Sequence, residues 1–265
     1  MSDQPGEKRP VLGIDIGGSG IKGAPVDLAT GELTADRLKI ATPAKSTPQN
    51  VAAVVREIIA NFADSTGDGP VGVTIPAVVT HGRTRSAANI DPAWIDCEAE
   101  KLFEYHLGRD IMLVNDADAA GVAEVRFGAA KDHSGLVILT TLGTGIGTAI
   151  VYRGVLIPNS ELGHLEIDGH DAETQAASSA RDRDELSYKE WAKRLQRYYE
   201  RLEALLWPDL IVVGGGASRK ADKFLPLLNL NTEIVPAKLQ NTAGIVGAAW
   251  LTYDRLTNPA PTSLA

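Results

Sequence analysis

The chain has 265 residues, 44% of them hydrophobic and 23% charged, which suits one large or two ordinary globular domains with a sizeable buried core. Its net charge of -8 opposes a nucleic-acid role, so a polyanionic partner would have to be bound by a local basic face. The single cysteine, Cys97, excludes an intramolecular disulfide and any cysteine-based zinc cluster.

In chain order, the apolar stretch after Lys8 and Arg9 is interrupted by Asp15 and by glycines, which makes a poor signal peptide. No apolar run approaches the roughly 18 residues that span a bilayer, so a cytoplasmic location without a membrane partner is expected. Residues 12 to 28, LGIDIGGSGIKGAPVDL, contain Gly18-Ser19-Gly20-Ile21-Lys22-Gly23, a GxGxxG match. The dinucleotide fingerprint needs a helix to start at those glycines. Here Pro25 falls where that helix needs an amide, and Thr30-Gly31-Glu32 reads as a turn. The stretch is therefore an antiparallel meander: strand 11–16, glycine turn, strand 21–28, turn, strand 33–42.

Helix 50–62, strand 71–75, helix 98–107 and strand 111–114 come next, and then NDADAA at 115–120 opening a small-residue helix over 117–123. A second meander, LVILTTLGTGIGTAIVYRGVLIP at 136–158, repeats the first, with Gly143, Gly145 and Gly147 at its turn. After it the pattern predicts helix 185–207, strand 210–213, helix 221–228 and strand 233–235. The repeat implies a duplication of about 120 residues, an expectation of two α/β domains that each open with a glycine hairpin and face a cleft. A third glycine run, Gly214-Gly215-Gly216, comes after the apolar strand LIVV. Each turn alone could be a plain hairpin; together they could offer backbone amides to a chain of phosphates.

Asp15-Ile16-Gly17-Gly18, NDADAA, LGTGIG and Glu161-Leu162-Gly163-His164 resemble the signatures of the ROK sugar kinases, within the actin-like ATPase superfamily of duplicated ribonuclease H-like domains. AVVTHG at 77–82, WPDL, GGGASRKADK and QNTAGIVGAA are similar to the actinobacterial branch that uses polyphosphate, a branch that includes a glucomannokinase. The resemblance implies transfer of a terminal phosphoryl group from polyphosphate or ATP to the 6-hydroxyl of glucose, with mannose as a second acceptor to test. It also implies a division into residues 1–116 plus a C-terminal helix at 242–265, and residues 117–241.

Phosphoryl transfer needs a metal at the donor oxygens, amide donors around the transferred group and a carboxylate to take the hydroxyl proton. By resemblance Asp116 is that general base, with Asn115 beside it on the sugar; read from the residues alone, Asp116 or Asp118 caps the helix. Asp15 orients a hydrated Mg²⁺ through water or caps its turn. Gly17, Gly18, Ser19, Gly20 and Lys22 form one phosphate turn, Gly143, Thr144 and Gly145 a second, and Gly214, Gly215 and Gly216 a third. Glu161 and His164, three apart, first suggest a metal site. The CxCGxxGC cluster that many ROK members carry after this histidine is missing, however, so no zinc is expected and both residues read as sugar ligands. AETQAAS carries the second sugar glutamate to Glu173, with Glu166 as its rival on a solvated strand. Asn89, after TRSAA, resembles the sugar-contacting asparagine of the opposite wall.

Arg219, Lys220 and Lys223 lie after the third glycine turn, where helical spacing would put Arg219 and Lys223 on one face, either as a track for polyphosphate or as an ordinary solvated helix start. Rival classes meet obstacles. A ROK-type sugar-responsive regulator is expected to need an N-terminal DNA-binding domain, whereas the first core strand begins at Val11. A dehydrogenase fails on the meander, and an actin-like filament has no use for NDADAA or ExGH. The sequence leaves monomer and homodimer open.

Overall fold

The computed structural model describes residues 9–87 and 90–258. They divide into two compact units, one comprising the chain up to Asp116 together with the segment from Gly244, the other running from Ala117 to Ala243.

In the first unit the chain runs through β1 (Val11–Gly17), β2 (Gly20–Val26), β3 (Leu38–Ile40), α1 (Pro48–Asn61), the single turn α2 (Ala63–Thr66), β4 (Val71–Ile75), the short pair β5 (Val79–Thr80) and β6 (Arg83–Thr84), α3 (Ala99–Leu107) and β7 (Ile111–Asn115). The sheet order is β3-β2-β1-β4-β7. The two meander contacts are antiparallel, and β1–β4 and β4–β7 are parallel. Gly17 pairs with Gly20, so the hairpin turns on Gly18 and Ser19 alone.

Strand alternation sends Leu12, Ile14 and Ile16 inward with Val51, Val55 and Ile58 of α1, Phe103 of α3 and Trp94, all buried. Thr47 caps α1 by accepting from the Asn50 amide at 3.4 Å, and Pro48 occupies the position where a missing N–H costs nothing.

In the second unit come α4 (Asp116–Phe127, which begins at the boundary), β8 (Leu136–Leu142), β9 (Ile146–Tyr152), β10 (Val155–Ile157), the two-residue strands β11 (Glu166–Ile167) and β12 (His170–Asp171), α5 (Ala172–Ala176), α6 (Ser178–Arg183), α7 (Tyr188–Leu206), β13 (Leu210–Gly214) and β14 (Glu233–Pro236). Sheet order β10-β9-β8-β13-β14 repeats the first sheet strand for strand, with the same parallel and antiparallel pairings. The predicted duplication is thus visible in topology.

Helix α7 starts with a capping box, Ser187 with Glu190. Its residues Trp191, Leu195, Tyr198, Tyr199 and Leu202, at helical spacing, are buried over β8 and β13 side chains Ile138, Ile211 and Val213. The other face of the sheet buries Val137, Leu139, Val151, Leu210 and Val212 with Val125 of α4.

The last helix, α8 (Ala243–Thr257), belongs to the first unit from Gly244 on. Glycine is required beneath it. A Cβ at Gly13 would stand 1.9 Å from the Ile245 carbonyl oxygen, and one at Gly72 would stand 2.2 Å from that of Ala248, so β1 and β4 meet α8 backbone to backbone.

Three expectations need correction. The third strand of the first meander is only Leu38–Ile40, joined to β2 earlier by one bridge between Val26 and Leu33, because residues 34–37 are largely exposed and have no apolar alternation to pair. The segment 221–228 is not an α-helix: a 3-10 stretch, Gly216–Lys223, kinks at Lys220 and leads into Leu225–Leu227. Pro226 supplies the reason, since an α-helix running through it would lose an amide and clash with the preceding turn. The helical spacing assumed for Arg219 and Lys223 therefore does not apply. Third, strand β1 does not stop short of the glycines but runs on to Gly17.

Candidate active site

In the first unit Asp15 lies on β1 with both carboxylate oxygens engaged. Lys22 of β2, its cross-strand partner, donates to Oδ2 at 3.2 Å, and the Thr74 hydroxyl of β4 donates to Oδ1 at 2.9 Å. Gly244, at the start of α8, leaves room for this carboxylate, because a Cβ there would come within 3.0 Å of it. The turn beside it is pinned by the Thr42 hydroxyl, which donates to the Gly17 carbonyl at 2.5 Å. A Cβ at Gly18 would meet nothing within 4 Å and the residue is not in the left-handed region, so no protein neighbour demands glycine there. Open backbone at a hairpin tip, with a cation beneath it, is what an anionic ligand needs for close approach.

The second glycine turn is built differently. Gly143 is open, like Gly18, whereas a Cβ at Gly145 would strike Glu173 Oε2 at 2.2 Å. That oxygen accepts from the Ile146 amide at 2.9 Å. On the other side Ser179, near the start of α6, donates its amide to the Gly143 carbonyl at 3.1 Å and its hydroxyl to the Thr144 carbonyl at 2.5 Å. A further bond from the Gly143 amide to the Gly145 carbonyl at 3.0 Å closes the turn on itself.

The third run includes a position that needs glycine. Gly215 sits at φ 74, where a side chain would also run into Leu142 backbone atoms at 2.6 Å, and Arg219 folds back so that its Nη2 comes 3.9 Å from a Cβ built at Gly216.

Asn115 closes β7 and is almost fully buried, donating through Nδ2 to the Ala77 carbonyl at 3.1 Å. Asp116 follows it directly as the first residue of α4, at the strand-to-helix junction. Asp118, one of the two readings for a helix cap, is engaged elsewhere: buried, it accepts from the Asn159 amide at 2.8 Å, and burial pushes its carboxyl up to about 7, with Glu161 adding to the rise.

The second unit gathers Glu161, His164 and Glu173. His164 ends the 3-10 turn Leu162–His164; its Nδ1 lies 2.8 Å from Asp171 Oδ2, and its Nε2 faces Glu161 at 3.7 Å. Burial raises the Glu161 carboxyl; the His164 charge opposes that rise and Glu173 adds to it. The Asp171 hydrogen bond raises the His164 imidazole, partly offset by burial, with the other carboxylates adding to the rise. The rival glutamate, Glu166, is exposed on β11.

Donor atoms of His164, Asp171 and Glu173 lie within 4.8 Å of one another, the one such group found among the described residues. Asn89 lies outside the described residues. No described helix is long and apolar enough to cross a membrane.

Several functional residues carry no sequence signal. Thr74, Thr42 and Ser179 act through single hydroxyls, which form no pattern. Asp171 is visible only once β11 and β12 fold back. Arg181 and Lys223 converge on the ring of Tyr188, with Arg181 Cζ 4.1 Å and Lys223 Nζ 5.4 Å from its centroid, a meeting of three segments that no local spacing encodes.

Two sheets of identical order, each opening on a glycine hairpin, define a duplicated actin-like ATPase fold. The ROK family model matches residues 11–179, and the chain belongs to the ROK family. It is 52% identical over 251 residues to a polyphosphate glucokinase of Mycobacterium tuberculosis, covering 94% of each chain. It is 51% identical to a polyphosphate glucokinase of Mycobacterium leprae, over 93% of this chain and 76% of that one. Among solved structures it superposes on an inorganic polyphosphate/ATP-glucomannokinase from Arthrobacter with a TM-score of 0.89 at 50% identity, covering 93% of this chain and 99% of that one. A ROK glucokinase from Streptomyces griseus shares the fold at a TM-score of 0.78 and 24% identity, covering 91% of this chain and 98% of that one.

Proposed function

We propose that this protein transfers the terminal phosphoryl group of inorganic polyphosphate or ATP to the 6-hydroxyl of glucose, and that it accepts mannose as well. The observation that carries the reading is the 52% identity with a polyphosphate glucokinase across almost the whole of both chains. Asp116 takes the proton of the attacking hydroxyl as its oxygen bonds to the terminal phosphorus, while the bond from that phosphorus to the bridging oxygen breaks and the shortened polyphosphate or ADP leaves. Asn115, Glu161, His164 and Glu173, with Asn89, hold the ring hydroxyls. The first two glycine turns, with Ser19, Lys22 and Thr144, present amides and polar groups to the donor, and Gly214–Gly216 with Lys220 and Lys223 guide the rest of its chain.

The residues around Asp15 fit a hydrated Mg²⁺: a part-buried carboxylate whose direct positions are taken by Lys22 and Thr74 can hold ordered waters of the ion's shell rather than the ion itself. When bound, that ion would neutralise charge on the donor phosphates. Zinc is not part of the reading, because Cys97 is the only cysteine and cannot supply the cysteine cluster that many ROK members carry. Such chemistry belongs in the cytoplasm, where ATP and hexose meet.

A coupled assay crossing polyphosphate and ATP with glucose, mannose, galactose and fructose tests the reading. Hexose 6-phosphate from glucose with either donor is expected, together with activity lost to chelator and restored by Mg²⁺. No turnover of glucose with either donor would overturn it.

A further inference from the structure

His164 and Glu173 are carried by different local elements, and one side chain reaches both. Asp171 ends β12, which returns beside β11 through a tight turn at Asp168 (φ 55) and Gly169 (φ 77). Arg197 of α7 grips the turn by donating to both oxygens of Asp168 at 2.7 and 2.6 Å. The register sets Asp171 opposite Glu166, two residues after His164. One carboxylate oxygen, Oδ2, then meets His164 Nδ1 at 2.8 Å. The other, Oδ1, accepts the Glu173 amide at 3.2 Å as the N-cap of α5, and the Asp171 carbonyl accepts the Thr174 hydroxyl at 2.6 Å. Glu173 in turn holds the Ile146 amide next to the second glycine turn. A continuous hydrogen-bonded path thus runs from that turn through Glu173 and Asp171 to His164, whose far nitrogen faces Glu161.

We propose that Asp171 is a positioning residue for the sugar acceptor: its two oxygens fix His164 with the proton on Nδ1, leaving Nε2 to face a sugar hydroxyl, and hold in register the short helix that carries Glu173. An acceptor-only carboxylate is what this arrangement requires. Both of its contacts ask it to accept, and a neutral imidazole whose Nδ1–H is held must present Nε2 as an acceptor. An asparagine has the same shape and caps helices as well, but it offers one acceptor and one donor. With its oxygen on the Glu173 amide, its NH₂ would face Nδ1 and drive the proton to Nε2. The assignment of an acceptor role rests on the proposed sugar kinase reading; the tautomer does not.

The test is Asp171→Asn beside Asp171→Ser, which keeps a helix cap and is too short to reach the imidazole. Nitrogen-15 NMR of the histidine rings at pH 9, with the His164 signals assigned by its substitution, should show Nδ1–H in the parent protein and Nε2–H in Asp171→Asn. The glucose KM should rise about tenfold in both variants, the loss of one charged hydrogen bond, while the ATP KM stays within twofold. Unchanged tautomer and glucose KM in Asp171→Asn would reduce Asp171 to a helix cap and overturn the proposal. Equal rises in both KM values would overturn it as well. If the parent protein phosphorylates no sugar, the functional reading fails, while the tautomer still reports on the Asp171 contact.

Discussion

The two glycine hairpins occupy the same place in two sheets of the same order, yet they are held by different means. The turn of β1 and β2 rests on strand neighbours: Lys22 and Thr74 on Asp15, and Thr42 on the Gly17 carbonyl. The turn of β8 and β9 rests on two helices downstream of its meander, with Glu173 of α5 on the Ile146 amide and Ser179 of α6 on the carbonyls of Gly143 and Thr144. The first hairpin therefore owes its shape to its own sheet. The second is wired, through Glu173 and Asp171, to the residues read as sugar ligands. Duplication supplied one scaffold twice, and the 158–187 stretch ties one copy to the residues proposed as sugar ligands.

The largest expected effect lies at Asp116. If it is the base proposed above, Asp116→Asn keeps the shape and removes that base, so kcat should fall about 10²- to 10⁴-fold while glucose binding is largely kept. A variant that retains more than about a tenth of the parent turnover would remove Asp116 from the base's role.

How much of the molecule is legible in its sequence depends on the range of each signal. The meanders, α1, α3, α7 and the central strands are written in local periodicity, and the glycine turns in composition. Punctuation and partnership are not. Pro226 stops a helix that the apolar pattern alone extends, and strand β3 shrinks because pairing, not propensity, sets its ends. Glu124 is a buried acid that follows directly on the predicted small-residue helix 117–123. It accepts amides from Ala129, Lys238 and Leu239, over a hundred positions away in two cases, which no window of sequence displays. Asp171 is hidden for the same reason, since its value depends on a two-residue turn reversing the chain.

A pair of alanines separates the two hairpins. At Gly18 a methyl meets nothing in the protein, whereas at Gly145 it meets the Glu173 carboxylate at 2.2 Å. Gly18→Ala should leave Tm unchanged and raise the donor KM about tenfold, because only a ligand would notice the methyl. Gly145→Ala should displace Glu173, lower Tm and raise the glucose KM as well. Thermal scans with full kinetics on both variants decide this, and identical profiles would erase the distinction between a ligand-facing and a protein-facing turn.

A smaller effect concerns Asp118, whose carboxyl burial raises from 3.8 to about 7. A carboxyl with a raised folded pKa binds its proton more tightly in the native state. Its contribution to stability is therefore complete below 3.8 and is lost as pH climbs through about 7. Asp118→Asn imitates the protonated form and can still accept from the Asn159 amide. The Tm of the variant relative to the parent should be level below pH 4, rise up to neutrality and stay constant above it. A difference that does not change with pH would mean that Asp118 ionises normally.

The smallest effect tests whether the second hairpin also handles the donor chain beyond its reacting end. In the first unit Lys22, beside the turn, is already matched by Asp15. In the second, Arg181, two residues after the Ser179 that holds the turn, and Lys223 both stand over the Tyr188 ring, while Arg219 folds toward Gly216 and Lys220 is exposed. Both cations on this ring gain from its negative faces, and Arg181 is also paired with Asp182 at 3.1 Å, which leaves Lys223 and Lys220 as the better candidates for meeting a polyanion. Polyphosphate, with roughly one charge per phosphate, reaches more of this cluster than the short tail of ATP does. Lys220→Ala with Lys223→Ala should raise the polyphosphate KM by about three- to tenfold and that for ATP by less than twofold, with Arg181→Ala acting in the same direction. Salt should raise the polyphosphate KM of the parent steeply, because the Debye length shrinks from about 10 Å at 0.1 M to about 3 Å at 1 M, and the variant's slope should be shallower. Equal losses for both donors would make these cations a general aid to phosphate binding rather than a track for the longer chain, and no loss for either would return them to solvent.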